Sequence, residues 1–187
     1  MDGNREKEIC GSRREENYQE YLRLKDSPDY TEVIFDEQSG GVSAVHKEHC
    51  FDKQVGPFGQ KRGDYERHVI DVLRVYGHCV VLQPETNNRT VSEKHFDALL
   101  DYDSTEIKTI EGVGHWAVRT KLQDTIKQGA DVVVLYFPKR QLYSESRVVE
   151  GWRMSNSLTD SNPDIKPIRR IFVVVEDLLA EIAKPPG

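Results

Sequence analysis

The chain has few cysteines, only two tryptophans, no long apolar run and no excess of basic residues. Three cysteines, Cys10, Cys50 and Cys79, cannot all pair within one chain and show no metal-ligand spacing, which excludes a disulfide framework. Reduced thiols in the cytoplasm are the expected state. No stretch of about 18 apolar residues is present, so no transmembrane helix and no membrane partner are expected. The opening "MDGNREKEICGSRREEN" is too charged for a secretory signal, although delivery into a target cell by a larger carrier would leave no trace here. With 26 Lys and Arg against 32 Asp and Glu, the net charge of −6 excludes a general nucleic-acid coat protein. It leaves room for an enzyme with a local basic cleft.

What is present is a chain of 187 residues, 37% hydrophobic, long enough for one domain of common size with an appendage. Residues 1 to about 17 form a charged lead, expected to be disordered or helical only when packed, and "NYQEYLRLK" reads as a short helix. "EVIFDE" and "VSAVHK", separated by Ser39-Gly40-Gly41, read as a hairpin. "GPFGQKRG", with three glycines and a proline, marks a joint. The expected organisation is an N-terminal extension over residues 1–60 and a main domain over 61–187.

After the joint, "DYERHVIDVLRVYG" has helical apolar spacing closed by Gly77, and "HCVVLQP" is a short buried strand. Residues 85–94 are a loop, followed by strands "FDALLD" and "TEIKTI". "WAVRTKLQDTIKQGA" carries Val118, Leu122 and Ile126 on one face of a helix ended by Gly129. "DVVVLYF" is apolar throughout, hence a strand covered on both faces. A helix at "SESRVVEGWRMSNSL", a strand at "IRRIFVVVE" and a short closing helix at "DLLAEIA" complete the order α-β-β-β-α-β-α-β-α. The expected fold is α+β, helices packed on a mixed, mainly antiparallel sheet with 131–137 and 171–175 at its centre.

"HFDALLDYDSTEIKTIEG" carries the chemistry. If its two strands pair, Glu106 and Lys108 share one face with Asp97 while Ile107 takes the other. Two carboxylates and an ammonium can bind a hard divalent cation and position a water. The same lysine without metal can stabilise charge building on a phosphate. Glu-x-Lys is also frequent as a solvated pair on a half-exposed edge strand.

The layout "YERHVIDVLRVYG", "CVVLQPE", "KHFDALLDYDSTEIK" and "IKQGADVVVLYF" resembles two nuclease groups over roughly residues 62–176. One is the barnase/EndoU/RelE-like (BECR-fold) superfamily, particularly the tRNA-cleaving tips of contact-dependent inhibition toxins and their relatives attached to phage minor head proteins. The other is the PD-(D/E)XK fold, with a helical Glu, an Asp, a Glu-x-Lys and often a Gln on the next helix. The second resemblance implies Mg2+ held by Glu66, Asp97 and Glu106, with Lys108 beside them and Gln123 or Gln128 on the helix; Asp97 lacks the preceding proline. The first implies a metal-independent ribonuclease with no cofactor. In it His115 supplies proton chemistry, Lys108 and Arg119 supply charge with Glu106 and Asp97 nearby, and Thr120 and Lys121 contact substrate; apart from the resemblance, Lys166, Arg169 and Arg170 of "KPIRRIF" read equally as substrate-backbone contacts or as a solvated strand entrance.

"KLQDTIKQGADVVVLYF" resembles the toxin group better. The expected function is therefore a bacterial-toxin endoribonuclease acting on RNA, chiefly tRNA, in the cytoplasm, with a cognate immunity protein as partner. The alternatives are a Mg2+-dependent DNA endonuclease and a non-catalytic binding module of a phage or mobile element. Elsewhere, His46, His49, Cys50 and Asp52 have the residue types of a zinc site but no second cluster follows. Trp116 and Trp152 are more easily read as packing residues than as base-stacking ones.

Overall fold

The computed structural model describes residues 3–84, 96–160 and 166–184, with the side chains of residues 3–12, 115 and 157–160 outside that description. The loop expected over 85–94 lies outside the described residues. The elements in chain order are α1 (Gly3–Asp26), β1 (Tyr30–Phe35), β2 (Val42–His46), α2 (Arg62–Val75), β3 (Cys79–Leu82), β4 (Ala98–Leu100), β5 (Asp103–Thr109), α3 (His115–Gln128), β6 (Val132–Phe137), α4 (Glu145–Asp160), β7 (Arg170–Val175) and β8 (Leu178–Ile182). All eight strands form one mixed sheet in sequence order. The β1–β2, β3–β4, β4–β5 and β7–β8 pairs are antiparallel, and β2–β3, β5–β6 and β6–β7 are parallel. The fold is α+β with helices packed on the sheet.

Alternation along the strands sends side chains into two layers. On one face Val132, Val134 and Tyr136 of β6 meet Tyr65, Val69 and Leu73 of α2, together with Val80, Ala98 and Phe172. On the other, Val133, Leu135 and Phe137 meet Val118, Leu122 and Ile126 of α3 and Val148 and Trp152 of α4. Each fully buried Val, Leu or Ile contributes about 1.5–3 kcal/mol. An exposed ion pair such as Arg67 with Glu32 contributes about 0–1 kcal/mol. The apolar core holds the layers, and the surface charges decorate them.

Two expectations change. β6 and β7 are the sixth and seventh of eight strands rather than the centre; they are apolar throughout because helices cover both faces there. "DLLAEIA" pairs as β8, antiparallel to β7, instead of forming a closing helix. Leu, Ala and Glu favour helix intrinsically, but a turn at Glu176, with φ 55°, returns the chain along β7 and buries Ile182. Of the two states expected for the charged lead, the packed helix is the one found: it is helical from Gly3 and its later turns dock, with Asn17 Nδ2 donating to the carbonyls of Gly40 at 2.9 Å and Gly77 at 3.1 Å, and Leu24 fully buried.

The segment before the joint belongs to the same sheet. β1 and β2 form the expected hairpin, and β2 continues into the rest by pairing in parallel with β3, Val42 opposite Cys79 and Val45 opposite Leu82. α1 lies over β1 and β2, where Leu24 packs with Val42, Ala44, Cys79 and Val81. Among the described residues no helix is long and apolar enough to cross a membrane.

The β4–β5 connection is a two-residue turn, with Leu100 paired to Asp103 and positive φ at Asp101 (50°) and Tyr102 (72°). Such turns match strand twist but favour Asn-Gly, and a left-handed tyrosine costs about 1–2 kcal/mol. Asp101 offsets this cost: its carboxylate accepts from His78 Nδ1 at 2.8 Å and the Cys79 amide at 3.0 Å, while its own amide donates to the Cys79 carbonyl at 2.8 Å. Burial alone would raise the Asp101 carboxyl. The bond and charge of His78, the Cys79 amide and the charge of Arg13 outweigh it and hold the carboxyl below its ordinary value. A lowered carboxyl adds stability above the unfolded pKa of about 3.9, and that stability is lost as pH falls toward the folded value. Asp101→Asn is expected to lower stability at pH 7 by about 1–3 kcal/mol. The gap from wild type should shrink below about pH 4, as read by urea unfolding at both pH values; a gap that does not change with pH would contradict the assignment.

Candidate active site

β5 lies between β4 and β6, so "TEIKTI" is an interior strand and its acid–base pair is not the wet face of an edge. Thr105 and Ile107 point toward the α2 layer, and Glu106 and Lys108 toward the other face, opposite Val133 and Leu135 of β6. The turn at Asp101 sets Ala98 against Thr105, which leaves Asp97 beside Glu106. Asp97 Oδ2 accepts from the Ile107 amide at 2.8 Å and lies 3.6 Å from Lys108 Nζ. Lys108 Nζ also bonds Glu106 Oε2. The residues Asp97, Glu106 and Lys108 therefore form one cluster.

Glu106 is the unusual member. Its side chain is 1% exposed, against 37% for Asp97, and its Oε1 has no hydrogen-bond partner among the described residues. A buried carboxylate costs several kcal/mol unless paired and fully hydrogen-bonded. Burial pushes the Glu106 carboxyl up to about 7, and the Asp97 charge adds to the shift while Lys108 opposes it. Burial also disfavours the Lys108 ammonium, but Asp97 and Glu106 outweigh that and raise it.

The cluster opens into a cavity of about 290 Å3. Asp52, Glu66, Asp97 and Glu111 contribute acids to its lining; Arg62, Lys108 and Lys121 contribute cations. Glu66 and Arg62 come from the first turns of α2, Lys121 from α3, and Asp52 from the loop after β2. That loop is fastened to the start of α2 by Gly63, whose amide donates to the Asp52 carbonyl at 2.9 Å. A Cβ at Gly63 would fall 2.7 Å from Phe51 Cβ and 2.9 Å from the Asp52 oxygen, so a side chain there would force the loop away. Arg62 Nη2 lies 3.3 Å from Glu111 Oε2 across the cavity mouth.

His49, 2% exposed in its side chain, supports Glu66 from behind. Its Nδ1 lies 2.8 Å from the Gln83 carbonyl, which can only accept, so Nδ1 carries a proton. Its Nε2 lies 3.3 Å from Glu66 Oε2. The histidine of "HKEHCFD" thus serves a carboxylate. His46, by contrast, takes the Glu48 amide on Nδ1 and packs edge-on against Tyr30, and Cys50 is exposed. Among the described residues no three His, Cys, Asp or Glu converge on a common metal position.

The other expected site residues distribute as follows. Glu66 and Lys121 line the cavity with Asp97 and Lys108, and Thr120 lines a neighbouring cavity. Arg119 lies over the Trp116 ring at 4.8 Å and does not line the first cavity. Arg169, expected at the substrate, sits at the opposite end of β5, bound to Asp103 and, at 3.1 Å, to Asp131. Gln128 is exposed, Gln123 is not part of the cavity lining, and the His115 side chain lies outside the described residues. His49, Asp52, Arg62 and Glu111 were not anticipated at the site. Only the histidine-bearing stretch carried a signal, and it pointed to zinc.

No known protein family, curated protein or solved structure significantly matches the chain.

Asp97 lines a cavity whose lining holds four acids against three bases, and Glu106 beside it has a buried oxygen without a hydrogen-bond partner among the described residues; carboxylates are the donor type a hard divalent cation takes. Mg2+ commonly takes one or two protein carboxylates, with water and phosphate oxygens completing its shell. In the metal-free protein the raised Glu106 carboxyl has a definite pH signature. The folded state keeps that proton above its ordinary value of 4.5, so stability falls as pH rises from about 4.5 to about 7 and the whole cost is present above 7. Glu106→Gln in EDTA should escape this loss and gain on wild type in Tm between pH 5 and pH 8. Added Mg2+ or Mn2+ should then raise the wild-type Tm at pH 8 and leave that of Glu106→Gln unchanged; parallel pH profiles for the two proteins would rule out the raised carboxyl.

Proposed function

We propose that the chain is a nuclease that hydrolyses phosphodiester bonds at Asp97, Glu106 and Lys108 with a divalent cation. The observation that carries this reading is the buried Glu106 carboxylate, its Oε1 without a partner among the described residues, held beside Asp97 by a shared lysine. A buried acid with an incompletely paired oxygen is costly to the fold, and a bound cation would offset that cost. The order α2-β3-β4-β5-α3-β6, with Glu66 on the helix, Asp97 before β4 and Glu106-x-Lys108 on β5, agrees with the resemblance to the PD-(D/E)XK fold.

Charge favours the metal-dependent form over the metal-free one. The cavity lining has four carboxylates, Asp52, Glu66, Asp97 and Glu111, against three cations, with Glu106 behind them. A phosphodiester entering such a cavity is repelled unless added positive charge meets it. Asp97 and Glu106 would hold Mg2+, which supplies Lewis-acid chemistry at the phosphoryl group. Lys108, paired with the two acids and 16% exposed, would stabilise negative charge on a phosphate oxygen. Lys121 offers a second cation from α3 for the neighbouring phosphate. Glu66, with His49 Nε2 3.3 Å away, lines the same cavity and would orient water at its wall.

The experiment is incubation of the purified chain and of Lys108→Ala with total tRNA, single-stranded DNA and plasmid DNA, in Mg2+ and in EDTA. Cleavage in Mg2+ that EDTA abolishes and that falls by about 100-fold or more in Lys108→Ala is the expected result. tRNA cleavage that survives EDTA would instead assign Lys108 and Lys121 to a metal-free ribonuclease. No cleavage of any substrate would overturn the nuclease reading.

A further inference from the structure

A second cavity, of about 370 Å3, adjoins the first and shares Thr109, Glu111 and Lys121 with it. Its distinctive member is Trp116, 57% exposed, where the chain's other tryptophan, Trp152, is 1% exposed in the core. Helix geometry explains the difference. The buried stripe of α3 runs through Val118, Leu122 and Ile126, and a residue two positions before Val118 lies about 200° around the helix from it. Trp116 is not needed to fill the core, and large aromatics usually bury most of their surface. Arg119, one turn on, places its guanidinium 4.8 Å from the ring centroid, which fixes the indole and brings positive charge beside it. Val113, 71% exposed, precedes it, and Gly112 and Ala117 keep the cavity wall low.

We propose that this second cavity takes an unpaired nucleobase of the strand being cut, stacked on Trp116, with the adjoining phosphate on Lys121. The volume lies in the range of small-ligand sites. The combination of a fixed indole with cations along a groove is the chemistry that holds single-stranded nucleic acid irrespective of base identity. A duplex keeps its base faces stacked inside, so this cavity selects single strands or loops. The inference rests on the nuclease reading of the adjoining cavity and deepens it by naming the substrate class.

The test uses Lys108→Ala as an uncleaving parent, with and without Trp116→Ala or Trp116→Phe, titrated into labelled single-stranded RNA, single-stranded DNA and duplex DNA. Trp116→Ala is expected to weaken binding of at least one single strand by about 5- to 150-fold, Trp116→Phe to recover most of it, and duplex binding to stay the same. The RNA and DNA arms assign the sugar. Equal single-strand affinity with and without the indole, or an equal loss on duplex, would overturn the proposal. Cleavage assays in the Lys108 protein separate the two readings. Trp116-dependent binding without any cleavage would remove the nuclease and leave the base site, whereas cleavage of single strands undiminished by Trp116→Ala would remove the base site and leave the nuclease.

Discussion

The pairing register of β4 against β5 is the constraint on which the candidate site depends. Side chains alternate along a strand, so a slip of one residue would turn Asp97 to the α2 face and separate it from Glu106 and Lys108. β4 has only three paired residues, too few to hold a register by packing alone. The register is set at the far end, where Asp101 ties the turn to His78 and Cys79 on the neighbouring strand. That bond network makes a turn with two left-handed, non-glycine residues tolerable. A carboxylate at one end of the hairpin thereby determines whether three charged groups meet at the other.

Once the register is set, the layers decide the electrostatics. β6 is covered on both faces, so β5, paired to it in parallel, presents Glu106 into a region with almost no solvent. The same burial that makes Val133 and Leu135 stabilising makes Glu106 costly. The site therefore has a carboxylate with a strong preference for a positive partner, and Lys108 alone leaves one of its oxygens without a hydrogen-bond partner among the described residues. The segment before residue 61 completes the arrangement. β2 extends the sheet, and the loop after it brings His49 behind Glu66 and Asp52 to the cavity.

Much of this was legible in the sequence because it follows from periodicity. A period of two placed Asp97, Glu106 and Lys108 on one face, and the 3.6-residue spacing of Val118, Leu122 and Ile126 marked the buried stripe of α3. That same stripe already pointed Trp116 away from the core, a signal outweighed by the general tendency of tryptophan to be buried. β8 was not legible, because Leu, Ala and Glu favour helix and only pairing with β7 makes them a strand. The parallel union of β2 with β3 was hidden for a related reason: periodicity identifies a strand but not its partner. His49, Arg62 and Glu111 reach one cavity from positions far apart in sequence, and no local pattern carries such a meeting.

The overall charge of −6 and a nucleic-acid substrate are compatible once charge is considered by place. Affinity for a polyanion from surface basicity requires many exposed cations, and this chain ties several of its own in pairs: Arg169 and Lys166 on Asp131, Arg170 on Glu181, Arg67 on Glu32. Lys121 lines both cavities where they join, beside an exposed indole that Arg119 stiffens, while Lys108 lines the first cavity paired with Asp97 and Glu106. Under the proposed reading, a protein with that distribution gains little from long-range attraction and would depend on contacts made with a strand in the groove. Base stacking weakens little with salt, whereas phosphate pairing weakens steeply. A chain that pairs several of its surface cations therefore has reason to place an aromatic side chain next to its acids.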